Sequence, residues 1–257
     1  MSGSLKIQFL GTGSIVPATD RSCSSILLHT PRERILIDIG AGTLRRMAEF
    51  GVDPASITYI FVTHFHPDHT GDLVPFLFQL RNLPLPEDHS LRVWGPRGFL
   101  SFVRHLQDAY GRWVQTPTEN TRFYELKRRL LDFPGFRLIW GKVVHKNESV
   151  GFRFELNGRV ITFSGDSGYC PELIRLARDA DIAVLECSHA DEYAVEGHLT
   201  PSLAAKIAAE ANVKQLVFTH FYPDALESDI MGVASKYFSG EIALASDGLL
   251  LELPVSQ

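Results

Sequence analysis

Short apolar runs alternate along the chain with stretches whose apolar residues recur every three or four positions. The runs predict β-strands, and the stretches predict amphipathic helices. Strands are predicted at 5–10, 25–29, 34–37, 57–62, 91–94, 138–144, 150–156, 160–163, 182–186, 216–218, 242–245 and 249–253. Helices are predicted at 43–50, 74–81, 99–110, 171–180 and 201–211. This order of strands and helices predicts a fold of the α/β class.

Turn and capping residues mark the ends of several predicted elements. Pro31 lies between the strands of a predicted hairpin, and Asn157-Gly158 is typical of a two-residue hairpin turn. Thr200 can cap the helix at 201–211, and Asp247-Gly248 separates the last two strands. No connection is a long low-complexity linker, so we expect residues 1–257 to form a single domain.

A ten-residue pattern occurs twice, 156 positions apart. Residues 59–68 read Tyr-Ile-Phe-Val-Thr-His-Phe-His-Pro-Asp, and residues 215–224 read Gln-Leu-Val-Phe-Thr-His-Phe-Tyr-Pro-Asp. An Asp-x-Gly sequence follows an earlier strand in each half, at Asp38 and at Asp166. The repeated order of strand, Asp-x-Gly, helix, strand and Thr-His predicts two related β/α halves. Two such halves facing each other would form a sheet-on-sheet core with helices outside.

The composition is that of an ordinary globular protein. The chain has 257 residues, of which 45% are hydrophobic and 21% are charged, values that exclude a disordered, collagen-like or strongly charged chain. The 25 Lys and Arg residues against 30 Asp and Glu residues give a net charge of −5 with histidine neutral. This charge argues against a general nucleic-acid-binding protein. The best basic candidate, residues 127–129, is interpreted as a solvated surface.

The cysteines and the first residues carry no metal or targeting signal. Cys23, Cys170 and Cys187 are odd in number and lack Cys-x-x-Cys spacing, so they are predicted to be small buried hydrophobic residues. No apolar run approaches the roughly 18 residues of a membrane helix. The first residues lack the charged segment and apolar run of a signal peptide. We therefore expect a cytoplasmic protein with no membrane partner.

The chemistry is concentrated in residues 64–69, which read His-Phe-His-Pro-Asp-His at the end of a predicted strand. Side chains alternate along an extended chain, so His64 and His66 can point to one side and share a metal ion. Asp68 and His69, which follow a turn, can reach a second ion. Imidazole and carboxylate ligands suit Zn, Mn and Fe, and the lack of thiolates argues against a structural cysteine zinc site.

The His-x-His-x-Asp-His pattern resembles the signature of the metallo-β-lactamase superfamily, and the resemblance extends over nearly the whole chain. It implies a four-layer αβ/βα sandwich with a two-metal site at one edge. The third family histidine is matched by His145, the bridging aspartate by Asp166 and the last histidine by His220. Asp38 matches the early family aspartate, and we interpret it as a carboxylate that orients a ligand imidazole.

The resemblance also implies how the ligands are divided between two divalent metal ions. Three histidines would hold one ion, and an aspartate with two histidines would hold the other. These residues are, in that order, His64, His66 and His145, then Asp68, His69 and His220, with Asp166 as the bridge. A hydroxide between the ions would be the nucleophile, because metal binding lowers the pKa of water. Asp68 could also orient it or accept its proton. Zn is the expected metal, with Mn and Fe as alternatives.

Two further stretches resemble the ribonuclease Z-like phosphodiesterase branch of the superfamily. They are Phe-Leu-Gly-Thr-Gly-Ser at 9–14 and Gly-His-Leu-Thr-Pro at 197–201. In that branch the histidine matched by His198 protonates the leaving oxygen or holds a phosphate oxygen, and Glu186 matches the glutamate that supports it. A carboxylate keeps an imidazole oriented and favours its protonated form.

Two departures from ribonuclease Z concern the recognition of tRNA. That enzyme carries a long arm between the positions matched by His145 and Asp166, whereas only 20 residues lie between them here. The basic N-terminal loop of the family is also eroded, at residues 17–22. Phosphate-backbone binding needs several Lys or Arg contacts. A small-molecule or short-nucleotide phosphodiester is therefore the favoured substrate, and tRNA is disfavoured.

The leading hypothesis is a dinuclear metal-dependent hydrolase that cleaves phosphodiesters. A tRNA 3′-processing endoribonuclease (ribonuclease Z) is the first alternative. A lactonase or other acyl hydrolase is the second, because the same metal site can attack a carbonyl and a fold does not fix the substrate. A metal-binding or partner-docking module without activity is the non-enzymatic alternative.

Two features remain outside these motifs. Four histidines match no motif (His29, His89, His105 and His189), of which His189 can line the site and His105 is expected to be exposed. The apolar stretch at 74–85 is expected to pack in the core or to form the face of a homodimer.

Overall fold

The computed structural model describes residues 4–87, 89–114 and 120–254, which fold into strands connected by turns and helices. The strands in these ranges are β1 (Leu5–Gly11), β2 (Ser25–His29), β3 (Arg34–Ile37), β4 (Tyr59–Phe61), β5 (Leu91–Gly95), β6 (Thr121–Glu125), β7 (Leu130–Phe133), β8 (Phe136–Lys142), β9 (Val150–Leu156), β10 (Arg159–Phe163), β11 (Ile182–Glu186), β12 (Gln215–Thr219), β13 (Glu241–Leu244) and β14 (Leu250–Leu253). The α-helices are α1 (Thr43–Glu49), α2 (Pro67–Thr70), α3 (Leu73–Arg81), α4 (Phe99–Tyr110), α5 (Pro171–Ala177), α6 (Pro201–Glu210), α7 (Pro223–Leu226) and α8 (Ile230–Ala234). Short 3-10 helices lie at Pro54–Ser56, Gly111–Val114 and Asp191–Tyr193.

The described strands form two seven-stranded sheets with matching topology. Their orders are β14-β1-β2-β3-β4-β5-β6 and β13-β12-β11-β10-β9-β8-β7. One end of each sheet is antiparallel, while β3 to β6 in the first sheet and β10 to β13 in the second run parallel. This correspondence confirms the prediction of two related β/α halves.

Three buried hydrophobic clusters hold the layers together. The first lies between the sheets and contains Phe61 and Phe154, among others. The second packs α5, α6 and α8 on the outer face of one sheet, and the third packs α1, α3 and α4 on the outer face of the other. Side chains of β4 alternate between these layers, since Tyr59 and Phe61 face the other sheet while Ile60 faces the helices. The result is the predicted four-layer αβ/βα sandwich.

The predicted elements agree closely with the observed ones inside each half. The bounds of β2, β3, β9, β11 and α4 are those predicted from the apolar pattern. The apolar pattern did not predict α2, α7 and α8, which are short, or β6 and β7, each of which lies at one edge of a sheet. Neither strand has a fully buried face, since β7 alternates between exposed and half-buried positions and Thr121 is the one buried residue of β6. Their apolar signal is therefore weak.

The last two strands, predicted on either side of Asp247-Gly248, belong to different sheets and do not pair with each other. β13 runs parallel to β12, and β14 adds to the edge of the first sheet beside β1. The carboxylate of Asp247 fixes this crossing, because it accepts hydrogen bonds from the backbone N of Thr12 and Ser22 and from Nε of Arg46, at 2.9, 2.7 and 2.9 Å. Asp247 thus joins the two ends of the chain.

Three further predictions concern the cysteines, the apolar stretch at 74–85 and membrane-spanning helices. Cys170 and Cys187 are buried as predicted, whereas Cys23 is half-buried, and its thiol lies 3.2 Å from the carbonyl oxygen of Ser14. In the stretch at 74–85, helix α3 packs into the core, although Phe78 is 43% exposed. A homodimer face there stays a prediction. Within the described ranges, no helix has the length and apolar character needed to cross a membrane.

Phe61 lies at the centre of the core between the sheets, and its removal is expected to destabilise the fold strongly. Its ring is fully buried and packs edge-on against the rings of Phe133, Phe136 and Phe154. Truncating a buried Phe to Ala usually lowers the free energy of unfolding by about 3–5 kcal/mol, because a cavity remains. Phe61→Ala should show such a loss in chemical denaturation. Tyr193→Ala, at a 66% exposed position, should change stability by less than about 0.5 kcal/mol; small losses in both variants would contradict this core.

Candidate active site

The carboxyl ends of parallel strands from both sheets converge at one edge of the sandwich. In α/β sheets this end of the strands is where ligands usually bind. Asp38 follows β3, His64 follows β4, Asp166 follows β10, Glu186 ends β11, and His220 follows β12. The topology thus brings together residues that are up to 182 positions apart in the sequence. Asp38 and His220 are both non-glycine residues with positive φ, 57° and 59°, a backbone conformation that is often found at functional sites.

The turn after β4 folds the motif back on itself. His66 is the N-cap of α2, and its carbonyl accepts hydrogen bonds from the backbone N of His69 and Thr70, at 3.0 and 3.1 Å. Pro67 is the first residue of the helix, a position at which the backbone N–H that proline lacks would have no acceptor within the helix. This single helical turn directs Asp68 and His69 toward the same edge of the sandwich as His64. A chain that continued in an extended conformation would carry them away from it.

One ligand group consists of three histidines and an aspartate. The ligand atoms of His64, His66, His145 and Asp166 all lie within 4.8 Å of one another. Nε2 of His145 is 3.3 Å from Nδ1 of His66. Oδ2 of Asp166 lies 3.7 Å from Nε2 of His64 and 3.8 Å from Nε2 of His145. These are the residues that the sequence assigned to the first ion together with the bridge.

A second ligand group lies on the other side of Asp166. The ligand atoms of Asp68, His69 and His220 also lie within 4.8 Å of one another. Nε2 of His69 is 3.1 Å from Nε2 of His220, which is 3.4 Å from Oδ2 of Asp68. Oδ1 of Asp166 is 3.1 Å from His69 and 3.4 Å from His220. The two oxygens of Asp166 therefore face different groups, the arrangement expected of a bridging carboxylate.

Hydrogen bonds behind the ligand groups fix the imidazole rings. Oδ2 of Asp38 accepts hydrogen bonds from Nδ1 of His69 at 2.7 Å and from the Thr63 hydroxyl at 2.8 Å. Because the Thr63 hydroxyl donates to Asp38, it can accept from Nδ1 of His64, which lies 3.0 Å away. Nδ1 of His145 donates to the carbonyl of Gly197 at 3.1 Å. Each of these bonds occupies Nδ1 and leaves Nε2 to face the site.

The unpaired atoms of this cluster fit metal cations. Nε2 of His64 is buried and has no hydrogen-bond partner among the described residues, and Oδ2 of Asp166 lies beyond hydrogen-bond distance of Nε2 of His64 and of His145, at 3.7 and 3.8 Å. Burial holds the pKa of His64 well below its usual value and lowers that of His145 to about 4, so both imidazoles offer a lone pair rather than a proton. Neutral imidazoles and carboxylates converging on one space are the donor set of Zn, Mn or Fe sites.

Protons can compete with cations for the second group. Burial alone would lower the pKa of His69, but the carboxylates of Asp166 and Asp38 outweigh it and raise that pKa well above the usual value. Burial alone would raise the pKa of Asp166, but the imidazoles of His220 and His69 hold it well below the usual value. A bound cation must displace a proton from such a group, so metal affinity should fall as the pH falls.

Glu186 and His198 form a pair at the rim of the site. Nδ1 of His198 donates to Oε2 of Glu186 at 3.0 Å, and the His198 side chain is 13% exposed while that of Glu186 is buried. The His198 ring centre lies 4.7 Å from that of His145. Burial alone would lower the pKa of His198, but the hydrogen bond and charge of Glu186 raise it. With Nδ1 engaged, Nε2 is the nitrogen left to meet a substrate.

Three residues to which the sequence motifs gave no role also lie at the site. Thr63 and Ser188 contribute hydroxyls behind the imidazoles, and the ring of Tyr222 lies 6.0 Å from that of His220. The repeated Thr-His pair pointed to Thr63. Ser188 follows Glu186 by two positions, a spacing that can place both side chains on one side of an extended segment.

His189 and His105, which match no motif, both lie outside the two ligand groups. His189 lies beside the pair of Glu186 and His198 rather than between the ligand groups. Its Nδ1 donates to Oδ1 of Asp224 at 3.1 Å, and its ring is 5.9 Å from that of His198. His105 is exposed on α4, as expected.

Known proteins resemble this chain in sequence and in structure. Residues 33–221 match the family model of the beta-lactamase superfamily domain. Ribonuclease Z from Methanosarcina mazei is 30% identical over 306 aligned positions, which cover 97% of this chain and 98% of that enzyme. The metallo-beta-lactamase fold protein YhfI from Bacillus subtilis has a TM-score of 0.85 at 24% identity and covers 98% of this chain and 100% of its own. The short form of human tRNase Z has a TM-score of 0.78 at 26% identity, with coverages of 97% and 100%.

Proposed function

Because the chain belongs to the beta-lactamase superfamily and has ribonuclease Z enzymes among its relatives, we propose that it is a dinuclear metal-dependent hydrolase that cleaves phosphodiesters. The observation that carries this proposal is the pair of ligand groups around Asp166 with Glu186 and His198 beside them. Two groups that share a carboxylate suit two cations, and a proton donor at the rim suits a leaving oxygen.

The proposed metal ligands are the residues of the two groups. The first ion is assigned to His64, His66 and His145 and the second to Asp68, His69 and His220, with Asp166 between them. When bound, the two ions supply an activated water near neutral pH and positive charge beside the phosphoryl oxygens. We propose Zn²⁺, and Mn²⁺ and Fe²⁺ are the alternatives that the same donors accept.

Asp68 and His198 have complementary roles in this proposal. Burial alone would raise the pKa of Asp68, but its hydrogen bond with His220 lowers it, so this carboxylate stays ionised and can orient the attacking water or accept its proton. His198 keeps its proton to higher pH because of Glu186 and can donate it from Nε2 to the leaving oxygen. The proposed acid, His198, lies in the loop after β11, whereas the proposed base, Asp68, lies in α2.

The shape and charge of the chain favour small phosphodiesters. β9 and β10 join directly through Asn157-Gly158, where both residues have positive φ, as a type I′ hairpin turn requires. The ribonuclease Z alignment extends over 306 positions, although this chain has 257 residues, so the alignment must contain gaps in this chain. Of the basic run at 127–129, Arg129 forms an ion pair with Glu172. Net charge and the short hairpin both argue against a tRNA-binding surface.

Processing of tRNA 3′ ends is the second candidate function. The similarity to ribonuclease Z over nearly the full length of both chains is the observation that favours it. An acyl hydrolase or lactonase is the further alternative, because the metal site would be equally able to activate water against a carbonyl.

A substrate screen with metal-reconstituted protein separates these candidates. Wild-type protein loaded with Zn²⁺ or with Mn²⁺ would be tested on bis(para-nitrophenyl) phosphate, a dinucleotide, a precursor tRNA with a 3′ trailer, a lactone and a thioester. We expect turnover of the first two, with lower kcat/KM for the precursor tRNA and for the carbonyl substrates. Faster cleavage of the trailer would favour ribonuclease Z activity, and faster turnover of the lactone or thioester would overturn the phosphodiesterase proposal.

A further inference from the structure

Ser188 lies between the two functional parts of the site. Its hydroxyl oxygen is 3.1 Å from Nδ1 of His220 and 3.2 Å from Nδ1 of His198, and it also contacts Oε2 of Glu186. The residue is completely buried. One hydroxyl therefore contacts a proposed metal ligand, the proposed acid and the carboxylate that supports the acid.

The direction of each hydrogen bond follows from the donors available. A serine hydroxyl has one proton to donate, and an ionised carboxylate can only accept. Ser188 therefore donates to Glu186, and its oxygen accepts from Nδ1 of His220. His198 donates from its own Nδ1 to the same oxygen of Glu186, at 3.0 Å. Two imidazoles thus depend on one carboxylate, one directly and the other through a hydroxyl.

The hydrogen bond from Nδ1 determines what His220 can offer to the site. Nε2 of His220 lies 3.4 Å from both Asp68 and Asp166, and once a cation displaces its proton, the proton kept on Nδ1 would leave the Nε2 lone pair to face that cation. A ring free to rotate, or with its proton on Nε2, would point that proton at the position of a cation. Bonds of this kind orient ligand histidines in metal sites generally.

In the other half of the molecule, a carboxylate and a hydroxyl also hold two imidazoles, but they lie at positions that the repeat does not match to Glu186 and Ser188. Asp38 accepts from His69 directly and from Thr63, whose oxygen lies beside Nδ1 of His64. In the repeat, Asp166 instead faces the ligand groups, and the hydroxyl of Thr219 is buried without a hydrogen-bond partner among the described residues. The residues that correspond to Asp38 and Thr63 therefore cannot hold His220, and the hydroxyl comes from the loop after β11.

We infer that Ser188 is a positioning residue for the metal ligand His220, and that Glu186 thereby serves the second ligand group as well as His198. This inference rests on the proposed metal site. It assigns to Glu186 a second role, in metal retention, beyond the support of His198 that the sequence indicates.

Metal affinity tests the inference without relying on turnover. Metal-free wild-type and variant proteins would be titrated with Zn²⁺ against a chromophoric chelator. Ser188→Ala should weaken binding of the second equivalent about 10- to 100-fold, the range for loss of a group that orients a metal ligand. Ser188→Thr, which keeps the hydroxyl, should restore most of the affinity. Ser167→Ala is the matched control, since Ser167 is equally buried and its hydroxyl bonds the carbonyl of Gly168 instead.

A second pair of variants covers the case in which Ser188→Ala does not fold. Ser188→Thr and Ser188→Val have side chains of nearly equal volume and differ in the hydroxyl, so only the valine variant should lose affinity for the second equivalent. Wild-type affinity in Ser188→Ala, or equal losses in the threonine and valine variants, would overturn the inference. Wild-type protein that binds two ions but cleaves no phosphodiester would refute the proposed function. The affinities of the Ser188 variants for the second ion would then still decide the inference. Wild-type protein that binds no second ion would overturn both.

Discussion

Replacing Asp166 by alanine is expected to abolish turnover of bis(para-nitrophenyl) phosphate. Asp166 is buried, and its two oxygens face different ligand groups, with Oδ1 3.1 Å from Nε2 of His69 and Oδ2 3.7 Å from Nε2 of His64. Its removal would leave five imidazoles around two cations with Asp68 as the remaining carboxylate of the two groups. The loss of kcat/KM should exceed the roughly 10- to 100-fold typical of losing a residue that only orients a ligand.

Metal content and folding must be measured beside turnover in this variant. We expect Asp166→Ala to retain its circular dichroism spectrum and to contain less metal by mass spectrometry. Asp181→Ala is the matched control, because Asp181 is also a buried carboxylate of the second sheet but binds the backbone N of Val160 and the side chain of Lys214, away from the site. It should keep its metal and its turnover. A folded Asp166→Ala protein with unchanged activity would refute the metal assignment.

His198→Ala should slow turnover while both metal ions are retained. The residue lies outside the two ligand groups and is held by Glu186. General acid catalysis contributes about 10²- to 10⁴-fold to a rate. The loss should be larger for an alkyl leaving group than for para-nitrophenolate, because the more basic oxygen needs the proton more. Loss of metal from this variant would show that the role of His198 is misassigned.

The pH dependence of the same reaction gives a second test of the acid. Glu186 raises the pKa of His198 above its usual value, so the protonated form should persist, and kcat should fall on the basic side of about pH 6.5. Glu186→Gln removes the negative charge, lowers that pKa and should move the basic limb to lower pH. His189→Ala is the control, since the imidazole of His189 is held by Asp224 rather than by Glu186, and its removal should leave the basic limb where it lies in the wild type. An unmoved limb in Glu186→Gln would contradict the pairing.

The sequence predicted those parts of the fold and site that are encoded locally or repeated. The ligands at 64–69 lie in one turn, the Thr-His and Asp-x-Gly repeats include His220 and Asp166, and the resemblance to the superfamily assigned His145, Asp166 and His220 to the metal site. Apolar periodicity located α4 and β9 without error because these elements pack one face against a large core. The local sequence therefore contained most of the information for each half.

The remaining features depend on contacts between distant residues. Asp247 looks like a turn residue, but its carboxylate binds Thr12 and Arg46, 235 and 201 positions away, so β14 joins the first sheet. Ser188 carries no motif, and its role appears only when β11 and β12 lie side by side with His220 beyond them. No periodicity along the chain can report such contacts, because they depend on the relative positions of folded elements.

The most direct test of a dinuclear phosphodiesterase is a metal titration that is followed by turnover. Metal-free protein would receive Zn²⁺ in small steps while hydrolysis of bis(para-nitrophenyl) phosphate is recorded and bound metal is counted. Activity is expected to rise with occupancy of both ligand groups and to reach its plateau at two bound ions per chain. Full activity with one bound ion would contradict the dinuclear assignment, and no hydrolysis at any loading would contradict the phosphodiesterase itself.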